Sequence, residues 1–169
     1  MDELFENYEG IKEFWLDIPR FIPRGVRERW YDKYTQKYPD IIYVSNNGFT
    51  DEMTINLNNT WPTDVITIES HLPRNLPGPR FSNYYLIEGQ QYYIPGEVCD
   101  IISNNWFYTE DDVVRSDKEL LGMYLVSQAW GANLLLNVPP NKDGILEEKY
   151  VKALMNLREN IDLVESNNK

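Results

Sequence analysis

Apolar residues fall into two patterns along this chain. Short runs broken by a polar residue or a proline alternate with stretches in which apolar residues recur every three or four positions. The first pattern predicts buried strands and the second amphipathic helices. The clearest run is Lys12-Glu13-Phe14-Trp15-Leu16-Asp17-Ile18-Pro19, which stops in a carboxylate and then a proline. Further strands are predicted over 40–45, 64–69, 97–102 and 133–138. The last has an unbroken Leu134-Leu135-Leu136 centre, as expected of a strand buried on both faces. Residues 1–10 read as the end of a helix closed at Gly10. A second helix runs from Pro23-Arg24-Gly25 to about Tyr38, with Val26, Trp30, Tyr34 and Tyr38 on one stripe. A third opens at a capping box, Ser116 with Glu119, and reaches about Gln128. The last carries Leu146, Tyr150, Leu154, Leu157 and Ile161 on one stripe. Residues 48–63, rich in Asn and Thr, read as a loop. So do residues 72–96, punctuated by Pro73, Pro77, Gly78, Pro79 and Pro95, and a loop that long is usually functional.

Strands alternating with amphipathic helices predict an α/β fold with a parallel sheet and helices outside it. A complete (β/α) barrel of the TIM type needs roughly 250 residues. This chain has 169 and opens on the end of a helix. The expectation is a partial barrel over residues 1–161, holding only the later strands and helices, with a polar, frayed tail over 162–169.

Charge narrows the partners. There are 16 basic and 27 acidic residues, a net charge of −11, which argues against nucleic acid and anionic membranes. No stretch approaches the ~18 apolar residues of a membrane span, and the acidic N-terminus is unlike an export signal. One cysteine, Cys99, allows no intrachain disulfide and reads as a small buried apolar side chain. One histidine, His71, excludes any site built on two.

Chemistry enters at the strand ends. Asp17 and Glu69 each close an apolar strand read in the same direction, so a parallel sheet brings both to one face. Hydrolysis of a glycosidic bond uses such a pair, one carboxylate as nucleophile and one carboxylic acid as proton donor. Trp15 and Trp106 offer apolar walls for a sugar ring. Both carboxylates also fit ordinary solvated positions, and Asp17 also fits a cap of a loop or helix. His71 fits a surface loop as well as a sugar contact. Asn137 fits a backbone bond, and the run Glu110-Asp111-Asp112 fits a solvated loop.

At these residues the chain resembles a known family. Phe14-Trp15-Leu16-Asp17 is similar to the nucleophile strand of the glycoside hydrolase family 29 α-L-fucosidases. Gly131-Ala132-Asn133-Leu134-Leu135-Leu136-Asn137-Val138-Pro139-Pro140-Asn141-Lys142-Asp143-Gly144 resembles that family's G-x-N-L-L-L-N-x-x-P-x-x-D-G stretch. The segment from Glu97-Val98-Cys99 to Trp106-Phe107-Tyr108 resembles what lies between. The likeness covers nearly the whole chain.

The resemblance implies retaining hydrolysis of terminal α-L-fucose from glycans through a covalent fucosyl-enzyme, with no metal or organic cofactor. It makes Asp17 the nucleophile and puts Trp15 in the fucose pocket. Asp64-Val65-Ile66-Thr67-Ile68-Glu69-Ser70-His71 resembles the segment that supplies the acid/base in bacterial members, so Glu69 takes that role. Glu97, at the position assigned in animal members, is the alternative acid/base or a partner of the site. Trp106 matches an aromatic position near the fucose methyl group. Asn47 stands where the family often has a fucose-contacting Arg, and His71 is a further candidate contact. The family's earlier strands, which carry further sugar contacts, have no counterpart here. The isolated chain is therefore expected to turn over poorly, and to associate with a missing half-barrel or with itself. The alternative is a non-catalytic carbohydrate-binding or barrel-completing fragment of a split enzyme.

Overall fold

The computed structural model of the chain describes residues 1–17, 19–46, 56–70 and 83–167. These divide into two compact units, Met1–Glu69 with Gly78–Glu97, and Ser70–Pro77 with Val98–Lys169.

In the first unit, α1 (Asp2–Asn7) leads through Gly10, at φ +76°, into β1 (Glu13–Leu16). A 3₁₀ turn at Pro19–Phe21 precedes α2 (Arg24–Lys37), and β2 (Ile42–Ser45) follows. β1 and β2 pair in parallel, with Glu13 opposite Ile42, Trp15 opposite Val44 and Leu16 opposite Ser45. Alternation along the strands then sorts the side chains. Phe14 and Tyr43 share one face, with ring centroids 5.7 Å apart. That face packs on the helices: Phe5 lies 5.5 Å from Phe14, 4.9 Å from Tyr34 and 4.8 Å from Tyr38. A helix as short as α1 does not persist alone, so this aromatic cluster is what holds it. The other face carries Glu13, Trp15 and Val44, and the chain continues beyond it to Asp17 and Asn46.

β3 (Ile66–Glu69) lies beside β2, joined to it by side chains in place of a continuous backbone ladder. The Asp64 carboxylate accepts from the Tyr43 N–H at 2.7 Å, and the Thr63 hydroxyl from the Ser45 N–H at 3.0 Å. Arg27 holds the connecting segments. It is fully buried, and its guanidinium donates to the carbonyls of Trp61 (3.1 Å), Asn58 (2.7 Å), Pro19 (3.4 Å) and Ile22. One cation thus ties together carbonyls of the turn after β1 and of the approach to β3.

One sequence expectation is corrected in this unit and three in the next. Residues 83–96 do not form an irregular loop. They form an antiparallel hairpin of β4 (Tyr84–Ile87) and β5 (Gln90–Tyr93), turning at Glu88 (φ +52°) and Gly89 (φ +87°). Positive φ at both central residues is the two-residue hairpin turn, and the surrounding prolines obscured it. Arg24 clamps the tip, with both terminal nitrogens 2.8 Å from the Glu88 carboxylate. Trp61 meets Tyr92 edge-on at 4.9 Å. Arg27, on a helix read only for its aromatic stripe, is a core residue.

β6 (Gly96–Ile101) starts in the first unit, where the Ile66 N–H donates to the Pro95 carbonyl, and continues in the second. The second unit adds α3 (Asp117–Ala129), β7 (Asn133–Asn137) and α4 (Glu148–Asn167). The capping box forms as expected, with Ser116 and Glu119 exchanging hydrogen bonds. Ile102, Leu120, Met123, Tyr150, Ala153 and Leu157 make the core, with Leu134, Leu136 and Val138 packed against it. β7 is only half-buried along its leucines, not covered on both faces. α4 continues to Asn167, so 162–167 is helical where a frayed tail was expected. Asp112 is also not solvated. It is buried, and accepts from the Tyr150 hydroxyl (2.7 Å), Asn105 Nδ2 (3.1 Å) and the Asn104 N–H (3.1 Å).

Candidate active site

Asp17, Asn46 and Glu69 sit at the carboxyl ends of β1, β2 and β3. Asn46 Nδ2 donates to Asp17 Oδ1 at 2.8 Å and to Glu69 Oε2 at 3.1 Å. Its Oδ1 accepts from the hydroxyl of Thr67, at 2.8 Å, and Thr67 is fully buried. Carboxylates only accept, so they fix which side of the amide carries the NH₂ and leave its oxygen to the Thr67 hydroxyl. Because both accepting oxygens touch one nitrogen, they lie no more than about 6 Å apart, close to the roughly 5–5.5 Å spacing of the two carboxyl groups in retaining glycosidases. Asp17 is exposed, and Asn46 and Glu69 are half-buried.

A second constellation lies nearer the start of the strands. Trp15 Nε1 donates to Glu97 Oε1 at 3.3 Å. Glu97 is 1% exposed. Glu13 lies two residues before Trp15 on the same side of β1. Burial first, then the charge of Glu97 and hydrogen bonding with it, push the Glu13 carboxyl up to about 7.

Of the residues singled out from sequence, Asp17, Glu69, Trp15 and Glu97 all fall in the first unit. Asp17 and Glu69 meet at Asn46, and Trp15 meets Glu97. Trp106 belongs to the second unit, where it is half-buried and its carbonyl accepts from Asn137 Nδ2 at 2.8 Å. Asn137 thus makes the backbone bond that its position suggested. Asn47 and His71 lie outside the described residues. Sequence reasoning missed Asn46, Thr67 and Glu13. Asn46 carried the signal used for the two carboxylates, a polar residue closing an apolar run. Glu13 is a charge inside an apolar strand, in two-residue phase with Trp15 and Asp17. Among the described residues, no group of three or more His, Cys, Asp or Glu could hold a metal ion. No described helix is long and apolar enough to cross a membrane.

A family model of α-L-fucosidases matches residues 1–162. The chain belongs to the α-L-fucosidase family. Among curated relatives, α-L-fucosidase 1 of Arabidopsis thaliana is 28% identical over 181 residues, spanning 99% of this chain and 34% of that protein. Among solved structures, α-L-fucosidase isoenzyme 1 of Paenibacillus thiaminolyticus superposes with a TM-score of 0.64 at 19% identity, over 90% of this chain and 35% of that one. A Lactobacillus casei α-L-fucosidase in complex with α-L-fucose product superposes with a TM-score of 0.66 at 20% identity, over 99% of this chain and 44% of that one. This fucosidase-family chain therefore shares the relatives' fold across its length and spans about a third of the length of its Arabidopsis relative.

Proposed function

We propose that these residues carry the nucleophile and the acid/base of a retaining family 29 α-L-fucosidase, on the later strands of a TIM-type (β/α) barrel, acting on fucosylated glycans. The observation that carries this reading is the convergence of Asp17 and Glu69 on the Asn46 amide, at a separation suited to flanking one glycosidic bond. In the first step an Asp17 oxygen attacks the anomeric carbon. The bond from that carbon to the leaving oxygen breaks, and Glu69 gives that oxygen its proton. In the second step Glu69, now a carboxylate, takes a proton from water. The resulting hydroxide oxygen bonds to the anomeric carbon, and the ester to Asp17 breaks. Two inversions give net retention.

Access favours Glu69 over Glu97 as the acid/base. Glu69 is half-buried at the strand end beside Asp17, whereas Glu97 is 1% exposed and bonded to Trp15. For Trp106, Asn47 and His71 the support is resemblance in sequence alone.

Hydrolysis of an aryl α-L-fucoside by the chain and by Asp17→Ala and Glu69→Ala tests the reading, with the first-formed sugar anomer followed by proton NMR. The expected result is slow release of α-fucose, with the rate lowered at least 10³-fold in Asp17→Ala, on the order of the loss of a catalytic nucleophile. Release of β-fucose first, or an unchanged rate in Asp17→Ala, would contradict it.

A further inference from the structure

We infer that Thr67 is a positioning residue, whose hydroxyl anchors the Asn46 amide between Asp17 and Glu69 while both carboxyl groups change state. The Thr67 hydroxyl donates to Asn46 Oδ1 at 2.8 Å, and Asn46 Nδ2 donates to Asp17 Oδ1 at 2.8 Å and to Glu69 Oε2 at 3.1 Å. Thr67 is fully buried within β3, between Ile66 and Ile68, each 1% exposed. A β-branched side chain is stiff at χ1, so packing and rotamer together hold that hydroxyl in one place. The amide it meets is less constrained. Rotation about the bond to an sp² carbon is broad, and Asn46 is only half-buried. What aims its NH₂ is therefore what its two ends bond.

On the fucosidase reading above, on which this role rests, the two carboxyl partners do not stay constant. Asp17 passes from carboxylate to ester and back, and an ester oxygen accepts more weakly than an ionised one. Glu69 passes from acid to carboxylate and back. Each change weakens or strengthens one of the two bonds from the NH₂. The Thr67 hydroxyl takes no part in the chemistry, so its bond to Oδ1 persists through both steps. With that anchor the amide stays between the two groups. Without it, at the ester stage the Glu69 carboxylate is the stronger acceptor and draws the NH₂ away from Asp17. Thr67 and Glu69 are two residues apart and project from the same side of β3. The anchor and the acid/base therefore share one strand.

The Asn46 side-chain NH₂ reports the anchor without turnover, so its outcome is separate from the fate of that reading. In the ¹⁵N-labelled chain its pair of signals is assigned by its absence in Asn46→Ala, and its hydrogen exchange with water is followed. Exchange in the wild-type chain should be slower than in free asparagine. In Thr67→Val, close in shape but without the hydroxyl, it should quicken roughly 5-fold, the equivalent of one ordinary hydrogen bond. Thr67→Ser, which keeps the hydroxyl, should restore the slow exchange. kcat/KM on an aryl α-L-fucoside should follow the same order, falling about 3- to 10-fold in Thr67→Val and recovering in Thr67→Ser. Equal exchange in wild type and Thr67→Val would overturn the inference, and so would a Thr67→Ser chain that behaves like Thr67→Val. If Thr67→Val does not fold, the wild-type chain decides: an Asn46 pair exchanging as fast as free asparagine would overturn it. The expected exchange pattern with no turnover in any chain would count against the fucosidase reading and leave the anchor standing.

Discussion

Asp17 and Glu69, 52 residues apart in sequence, accept hydrogen bonds from one amide nitrogen, Asn46 Nδ2, at 2.8 and 3.1 Å. The single NH₂ group uses one hydrogen for each carboxyl. A donor between two carboxyl groups this close serves both as acceptors at once. In the proposed mechanism Asn46 also keeps the two groups on one glycosidic bond.

Asn46→Ala removes that donor without touching the packed face of β2. Hydrogen bonds to charged groups contribute about 1.5–3 kcal/mol, so kcat/KM on an aryl α-L-fucoside should fall roughly 10- to 100-fold. The far-UV circular dichroism spectrum should be unchanged. Wild-type kinetics in Asn46→Ala would show that the amide is a bystander.

Arg27 is predicted to be a principal stabilising residue of the first unit. Its guanidinium serves the carbonyls of Pro19, Ile22, Asn58 and Trp61 from a fully buried position. Arg27→Met fills similar space but takes the guanidinium from these carbonyls, of which Pro19 keeps the Ile22 N–H and Asn58 reaches water, at about 1–3 kcal/mol for each one left unsatisfied and less than the sum after relaxation. Urea denaturation should show a loss of at least about 3 kcal/mol. A loss below about 1 kcal/mol would mean that water replaces the guanidinium.

Asp112 ties acid stability to the second unit. Burial raises its carboxyl value, but hydrogen bonds from Tyr150, Asn105 and the Asn104 N–H outweigh that and hold it down at about 2. A folded value below the unfolded one gives stability that is present above about 4 and lost as pH falls toward 2. The contribution is on the order of 2 kcal/mol. Thermal melts of the wild-type chain should therefore lose stability between pH 4 and 2, and Tyr150→Phe should flatten that limb. An identical acid limb in Tyr150→Phe would contradict the assignment.

What was legible in the sequence follows from the range of the forces involved. Strand ends and helix stripes are local patterns, so β1, β2, β3, α2 and the Ser116 capping box were readable, as was the place of Asp17 and Glu69 at strand ends. Asn46 was readable by the same rule, but its weight comes from a Thr67 hydroxyl and two carboxylates on neighbouring strands. Arg27 and Asp112 were read past because charged residues are usually solvated. Only the fold supplies Arg27 with four carbonyls and Asp112 with Tyr150 from 38 residues away. The β4–β5 hairpin was hidden because its Glu88-Gly89 turn sits in a segment rich in prolines. The Leu134-Leu135-Leu136 run predicted a strand correctly and its burial incorrectly, since a continuous apolar run does not say how much of each face is covered.

The central claim is that Asp17 forms the bond to fucose, and covalent trapping tests it most directly. Fluorine at C2 of a fucosyl fluoride slows both steps by disfavouring positive charge at the anomeric carbon, while the fluoride leaving group lets the first step proceed. One slow turnover is enough for a label to accumulate. Mass spectrometry of the peptides should then find a single 2-fluorofucosyl group, ester-linked to Asp17, and none in Asp17→Asn. A label on Glu69, on Glu97 or on no residue would contradict the account.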